Sequence, residues 1–365
     1  MYRVKIYGAG SIGNHLANAS RVLGWDVTVC DIGEVPLNRM KNEIYPGRYG
    51  KWDEGIKLFT NEKAPKGGFD IIMIGTPPDS HIPLALEALQ EAPRAILSEK
   101  PLCPPRMKGA QELYEKGRKS GVKVYVGYTH VAGRAMAKVE ELLASRVVGD
   151  ILTIDAEFRE HWEGILKAHP WLNGPQDTYL GFWEKGGGAS GEHSHAINLW
   201  QHLAHAAGFG RVREVSAMVN YTKAGPAAYD DLCFLNLRTE CGFAGRVVQD
   251  VVTRPSSKKA RLQGTEGVIE WIANYDAQGD AVILTKPGAA PKSFTIPKKR
   301  PDDFIDELRV LERDLSRDQC DSALSLERGL DTMLVLAAAH ESQRTKTTVV
   351  LPESGTYDPA ALRGK

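Results

Sequence analysis

The chain has 365 residues, enough for about two domains with cores of their own. Its 46 lysines and arginines balance 46 aspartates and glutamates, which excludes a global field drawing it to nucleic acid or an anionic membrane. No apolar run approaches the ~18 residues of a membrane span, so a small, locally recognised molecule is the expected partner.

Read in chain order, apolar runs at 4–7, 27–30, 56–60, 70–75, 95–98 and 122–127 alternate with helical patterns, among them 12–23, 80–91 and 105–120. This rhythm predicts an α/β domain over 1–128, a doubly wound parallel sheet covered on both faces. After residue 150, strand patterns follow one another at 151–161, 212–221, 232–239, 243–253, 260–272 and 281–285. They predict an α+β domain over 129–351 with an open, mostly antiparallel sheet. Helices are expected near 191–207, 301–315 and 323–343. The last is apolar at Leu326, Leu330, Met333, Leu334 and Ala337 and reads as core, with part of this C-terminal helical region packing back on the first domain. Residues 352–365 read as a weakly ordered tail.

The N-terminus enters a strand almost at once and lacks the apolar core of a secretory signal. Cys30, Cys103, Cys233, Cys241 and Cys320 are scattered without C-x-x-C spacing, which predicts mostly buried thiols in a reducing cytoplasm.

The segment Gly8-Ala9-Gly10-Ser11-Ile12-Gly13 lies between the first strand and the first helix, the context a dinucleotide fingerprint requires. Gly8 makes the turn, Gly10 admits a pyrophosphate close to the backbone, and Gly13 lets helix and strand approach. The backbone N–H groups at Ser11 and Ile12 would face the phosphates. Asp31 follows the second strand, 18 positions after Gly13, where a carboxylate accepts from ribose hydroxyls and repels a 2′-phosphate. NAD is therefore expected as cofactor rather than NADP.

Further motifs follow in order: Thr76-Pro77-Pro78 with His81, Glu99-Lys100-Pro101, the run Gly186-Gly187-Gly188 leading to His195, and Gln263-Gly264-Thr265-Glu266-Gly267. Together with the fingerprint they resemble the Gfo/Idh/MocA oxidoreductases, a family with inositol, glucose-type and nucleotide-sugar dehydrogenases, over nearly the whole chain. The resemblance implies an N-terminal Rossmann domain, a C-terminal sheet that builds homodimers or homotetramers, and a substrate cleft between them. It implies cofactor contacts at Thr76, Pro77, His81, Glu99 and Lys100. Lys100 would hold the reacting oxygen and His195 would exchange its proton. The family commonly has an Asp four residues before this histidine, and Gly191 stands there instead. Glu192 is left with two readings, a partner for His195 at i,i+3 or a helix cap.

The stretch from Glu157 to Gly188 is the expected substrate wall, with Arg159, His161, Trp162, His169, Trp171, Tyr179 and Trp183. The same aromatics equally suit anchoring of a long loop. Tyr128 and His130 follow the last parallel strand and are expected at the cleft. His193 and His195 diverge by about 200° on a helix, and His202 and His205 lack ligand-type neighbours, so no metal site is expected. The implied activity is NAD-dependent hydride transfer at a secondary alcohol of a sugar, glycoside or cyclitol. A redox-assisted glycosidase that keeps its NAD and a non-enzymatic dinucleotide sensor are the alternatives.

Overall fold

The computed structural model describes residues 1–167, 169–317 and 322–365. Among the described residues, strands β1 (Arg3–Tyr7), β2 (Asp26–Asp31), β3 (Ile56–Thr60), β4 (Ile71–Ile74), β5 (Ala95–Glu99) and β6 (Lys123–Gly127) form a parallel sheet ordered β3-β2-β1-β4-β5-β6. Ile71 to Ile74 are all fully buried, as a strand covered on both faces requires. Helices α1 (Ser11–Val22), α2 (Pro78–Gln90) and α3 (Ala110–Ser120) lie on the sheet. The strand order reverses between β1 and β4, so Gly8, Thr76 and Lys100 gather at one carboxyl edge, where open α/β sheets bind ligands.

Beyond this domain, α4 (Gly188–Glu192) and α5 (Ser194–Ala206) lie among the strands of a second sheet, and α6 (Asp302–Arg317) and α7 (Leu326–Thr345) follow it. That sheet contains β7 (Ile151–Arg159), β8 (Val212–Ala224), β9 (Ala227–Thr239), β10 (Ala244–Asp250), β11 (Ser257–Gly264), β12 (Val268–Asp276), β13 (Gly279–Thr285), β14 (Lys292–Pro297), β15 (Val349–Val350) and β16 (Arg363–Gly364). Its order is β14-β13-β12-β11-β7-β10-β9-β8-β15-β16, and β7 with β10 is the parallel pair in a mostly antiparallel sheet. Trp200 of α5 is fully buried and donates its indole N–H to the Ile154 carbonyl at 2.8 Å, seating that helix on β7.

Several boundaries differ from the sequence reading. The strand expected over 260–272 is two strands, because the Gly264 N–H closes on the Gly267 carbonyl at 2.8 Å and turns the chain into a hairpin. The helix expected from 191 breaks at His193, whose φ of −95° and ψ of 21° are not helical. Helix α3 starts at Ala110, after Gly109 in a left-handed conformation, and not at 105.

Residues 352–365 are packed, contrary to the expected weak order. Tyr357 is buried, meets Tyr114 edge-on, and donates its N–H to Gln111 at 2.7 Å, while β16 pairs with β15. Helix α7 carries Leu330, Met333 and Leu334 fully buried, as read from their spacing, and Leu324 just before it bonds Val126 of β6. Cys30, Cys103 and Cys233 are buried and Cys241 is exposed, whereas Cys320 lies outside the described residues. No described helix is long and apolar enough to cross a membrane.

Candidate active site

The glycine turn occupies the switch point of the parallel sheet. Gly8 adopts φ +102°, and a Cβ on Gly13 would lie 1.8 Å from the Gly8 carbonyl oxygen, so the turn closes only with hydrogen at both positions. A Cβ on Gly10 would meet nothing within 4 Å, leaving open space beside the start of α1. That helix has no side-chain cap and no acidic residue in its first turn, so its N–H groups are left for an anion. Asp31 accepts from the Ala9 N–H at 2.7 Å and from the Ile32 N–H at 2.7 Å, which fixes its carboxylate beside the turn. These residues fit a dinucleotide.

Arg48, from the helical turn Tyr45–Tyr49, was not singled out in the sequence. It donates to the Ser11 carbonyl and to Ser11 Oγ, both at 2.8 Å. Its guanidinium thus stands at the positive end of α1, an arrangement that suits a bound phosphate.

Thr76 and Pro77 lie at the cleft edge, but His81 does not. Its buried ring places Nε2 2.6 Å from the Thr76 carbonyl oxygen and Nδ1 3.0 Å from that of Pro101, tying two turns together. Glu99 also turns inward, its carboxyl packed against Gly127, and burial pushes it up to about 7 against the opposing pull of Lys100. These two expected cofactor contacts shape the site from behind.

Lys100 projects from the end of β5 across the cleft. Its Nζ donates to the Glu192 carbonyl at 2.9 Å and to Glu192 Oε2 at 3.1 Å. Neither reading of Glu192 holds, since its carboxylate serves the lysine. Burial alone would raise Glu192, yet Lys100 and His193 hold it below the usual value. The missing aspartate has a steric reason: a Cβ at Gly191 would sit 2.0 Å from the Gly186 carbonyl oxygen.

One turn on, His195 is enclosed by aromatic edges and faces. Its ring centroid lies 4.8 Å from His130, 5.5 Å from Tyr128 and 6.1 Å from Phe158. Burial, and then His130, Lys100 and Lys258, hold it well below its usual value, so the ring is neutral. Nδ1 is buried, which leaves Nε2 as the ring nitrogen open to a bound molecule. His130 adjoins it, also held low by burial and by Lys298 and Lys258. Tyr128 is only 1% exposed and meets the His195 ring edge-on, which corrects its place among the substrate contacts.

The expected substrate wall is largely an anchored loop. Trp162 is buried against Tyr229 at 5.2 Å, Arg39 of the first domain lies 5.3 Å over Trp171, and Trp183 stacks on His340 at 4.5 Å. Trp162 and Arg159 are therefore corrected. Arg159 alternates with Phe158 along β7 and points to the opposite face, where it bonds Asp250 at 2.6 Å.

The face that Phe158 shares carries residues the sequence reading missed. Phe158 pairs with Gln249 on β10 and with Lys258 on β11, and Gln249 donates to the His193 carbonyl at 2.6 Å. Lys258 Nζ bonds Glu160 Oε2 at 2.7 Å. Period-two spacing from Ala260 and Leu262 was the available signal for Lys258, obscured because the strand was begun at 260.

A concavity of about 740 Å³ bounded by Trp183, Tyr221, His340 and Leu362 takes only Trp183 from the expected substrate wall and neither Lys100 nor His195. Among the described residues no group of three His, Cys, Asp or Glu could hold a metal ion.

Residues 2–128 match the oxidoreductase family model with an NAD-binding Rossmann fold, and residues 136–270 match the GFO/IDH/MocA C-terminal domain. The chain belongs to the Gfo/Idh/MocA oxidoreductase family. It is an NAD-binding oxidoreductase.

Among solved structures, levoglucosan dehydrogenase in complex with NADH and levoglucosan is 18% identical, with a TM-score of 0.77 over 96% of this chain and 100% of that one. The WlbA dehydrogenase of Bordetella pertussis, solved with NADH and UDP-GlcNAcA, is 20% identical, with a TM-score of 0.72 over 96% and 99%. An NAD binding oxidoreductase of Klebsiella pneumoniae is 16% identical, with a TM-score of 0.75 over 96% and 99%. At such identities the likeness is one of fold. No curated protein sequence matches the chain.

Proposed function

We propose that this family member is a dehydrogenase acting on a secondary alcohol of a sugar, glycoside or cyclitol, with Lys100 and His195 at the reacting oxygen. The observation that carries the reading is the pair of bonds from Lys100 to Glu192, which brings an amine of the first domain beside the helix that bears His195. Gly8, Gly10, Ser11, Ile12, Gly13 and Asp31, with Thr76 and Pro77, hold the dinucleotide, and Arg48 adds charge at its phosphates. Bound NAD supplies the hydride acceptor.

The chain's residues handle the oxygen and its proton. Lys100 donates a hydrogen bond to the substrate oxygen and stabilises the negative charge that develops on it. His195 takes the hydroxyl proton on Nε2 and returns it in the reverse direction. A ring held neutral by burial suits the first task, because its base form persists as the pH falls.

Replacement of either residue by alanine tests this. Lys100→Ala and His195→Ala are expected to lower turnover at least ~10²-fold while calorimetry still detects NAD binding. The lowered histidine fixes the sign of the pH effect. The ring protonates only below its ordinary range, so wild-type kcat/KM is expected to hold as pH falls through about 6.5 and to drop only below it. Unchanged turnover in either variant removes that residue from the mechanism. A screen over sugars, glycosides and cyclitols that records NADH release also separates a dehydrogenase from an enzyme that recycles its NAD in place.

A further inference from the structure

We infer that Lys258 and Glu160 form a second substrate-reading pair, and that with Lys100 and Glu192 they select an uncharged ring bearing a vicinal diol. The inference rests on the dehydrogenase reading for the position of the reacting alcohol. Its own support is geometric.

Lys258 stands opposite Phe158 in the β11–β7 register, so both side chains rise from the face that carries α5 and His195. The ammonium lies 6.0 Å from the centroid of the Phe158 ring, which in turn lies 6.1 Å from His195. Glu160 follows the end of β7, two residues beyond Phe158, and its Oε2 is 2.7 Å from Lys258 Nζ. The side chains keep 25% and 20% of their exposure, the partial access expected of residues lining a cleft. The charge of Lys258 reaches His130 just after β6 of the first domain, Glu192 at the end of α4, the buried His193 between α4 and α5, and His195 of α5.

The lysines of two lysine–glutamate pairs thus act on the histidine through their charge, the pairs closed at 3.1 Å between Lys100 and Glu192 and at 2.7 Å between Lys258 and Glu160. Each sets a donor beside an acceptor at a spacing close to that of neighbouring hydroxyls on a sugar ring. One hydroxyl of a diol donates to the carboxylate while the next accepts from the ammonium. A carboxylate or phosphate on the substrate would instead meet Glu160 or Glu192 within the same reach as the lysines, and the repulsion cancels the attraction. Each of these lysines already has its counter-charge, so the site offers hydroxyl recognition without a net demand for an anion.

The test uses the full chain loaded with NADH, so that ligand choice is read without turnover. Calorimetric titration compares myo-inositol and glucose with glucuronate and glucose 6-phosphate. The wild type is expected to bind at least one of the neutral probes ~10-fold or more tighter than either anion, with an affinity that changes less than ~2-fold between low and moderate salt. Lys258→Met is expected to weaken the neutral ligand ~10-fold without changing NADH affinity. Glu160→Gln, which leaves Lys258 without its counter-charge, is expected to shift selectivity ~10-fold toward the anions, a change that a merely structural role would not produce.

Preferential binding of an anion by the wild type overturns the inference, as does unchanged selectivity in Glu160→Gln or failure to bind any of the four probes. Selective neutral binding without hydride transfer to NAD, in contrast, retains the inference and defeats the dehydrogenase reading.

Discussion

Gly8, Gly10 and Ser11 are neighbours in the chain, and their contribution to the cleft is made mostly of backbone: a turn with hydrogen in place of side chains and a helix end with unused N–H groups. Across the cleft, Phe158, Gln249 and Lys258 come from three strands and meet because those strands pair in one register. The cofactor half is thus specified by a short run of chain and tolerates no added atoms at Gly8 or Gly13, while the opposite half is specified by which face of a strand each residue occupies. A dinucleotide is the same molecule in every relative that binds it, so its cradle can be a fixed turn. Substrates differ, and a sheet face can be rewritten one side chain at a time without disturbing the ladder.

The sharpest way to break this contrast is to add one carbon to the turn. In Gly13→Ala the new Cβ meets a backbone oxygen that no rotamer change can move. NAD affinity is expected to fall at least ~100-fold, about 2.7 kcal/mol, in calorimetric titration. Retention of affinity within ~10-fold would mean that the cradle is not held by backbone.

A smaller effect is expected at Asp31, the one side chain in that half assigned a selective role. Wild-type protein is expected to bind NAD⁺ at least ~10-fold tighter than NADP⁺, about 1.4 kcal/mol, and Asp31→Asn to narrow the gap. Equal affinities in the wild type would show that the carboxylate serves only the Ala9 and Ile32 N–H groups.

The smallest effect on activity is expected at Arg159, which belongs to the other face of β7. Arg159→Ala is expected to leave kcat/KM for an active alcohol within ~2-fold while lowering the melting temperature, since Asp250 is fully buried and loses its ion-pair partner. A large rise in KM would place Arg159 in the cleft after all and weaken the argument from strand alternation.

The same contrast explains what was legible in the sequence. The fold class was readable because apolar runs and helical periods repeat locally, and the glycine turn because its elements lie in consecutive order. Arg159, Trp162 and Tyr128 misled because residue type was visible but strand phase and depth were not. A slip of one position exchanges the two faces of a sheet, so Arg159 drew notice while Glu160 beside it holds Lys258. Arg48 reaches Ser11 from 37 residues away, and no local pattern announces such a contact. Gly191 was readable as a departure from the family pattern, yet its cause, the Gly186 carbonyl lying where a side chain would begin, exists only in three dimensions.

The bonds from Lys100 to Glu192 have a mechanical consequence. The amine assigned to the reacting oxygen is also a latch between the two halves, held at 2.9 Å by a main-chain carbonyl across the gap. The halves cannot swing apart without releasing it, so under the proposed function admission of an alcohol and arming of the lysine become one event. A deficit measured in a Lys100 variant then sums a loss of chemistry and a loss of closure, and small-angle scattering of the variant against the wild type would apportion the two.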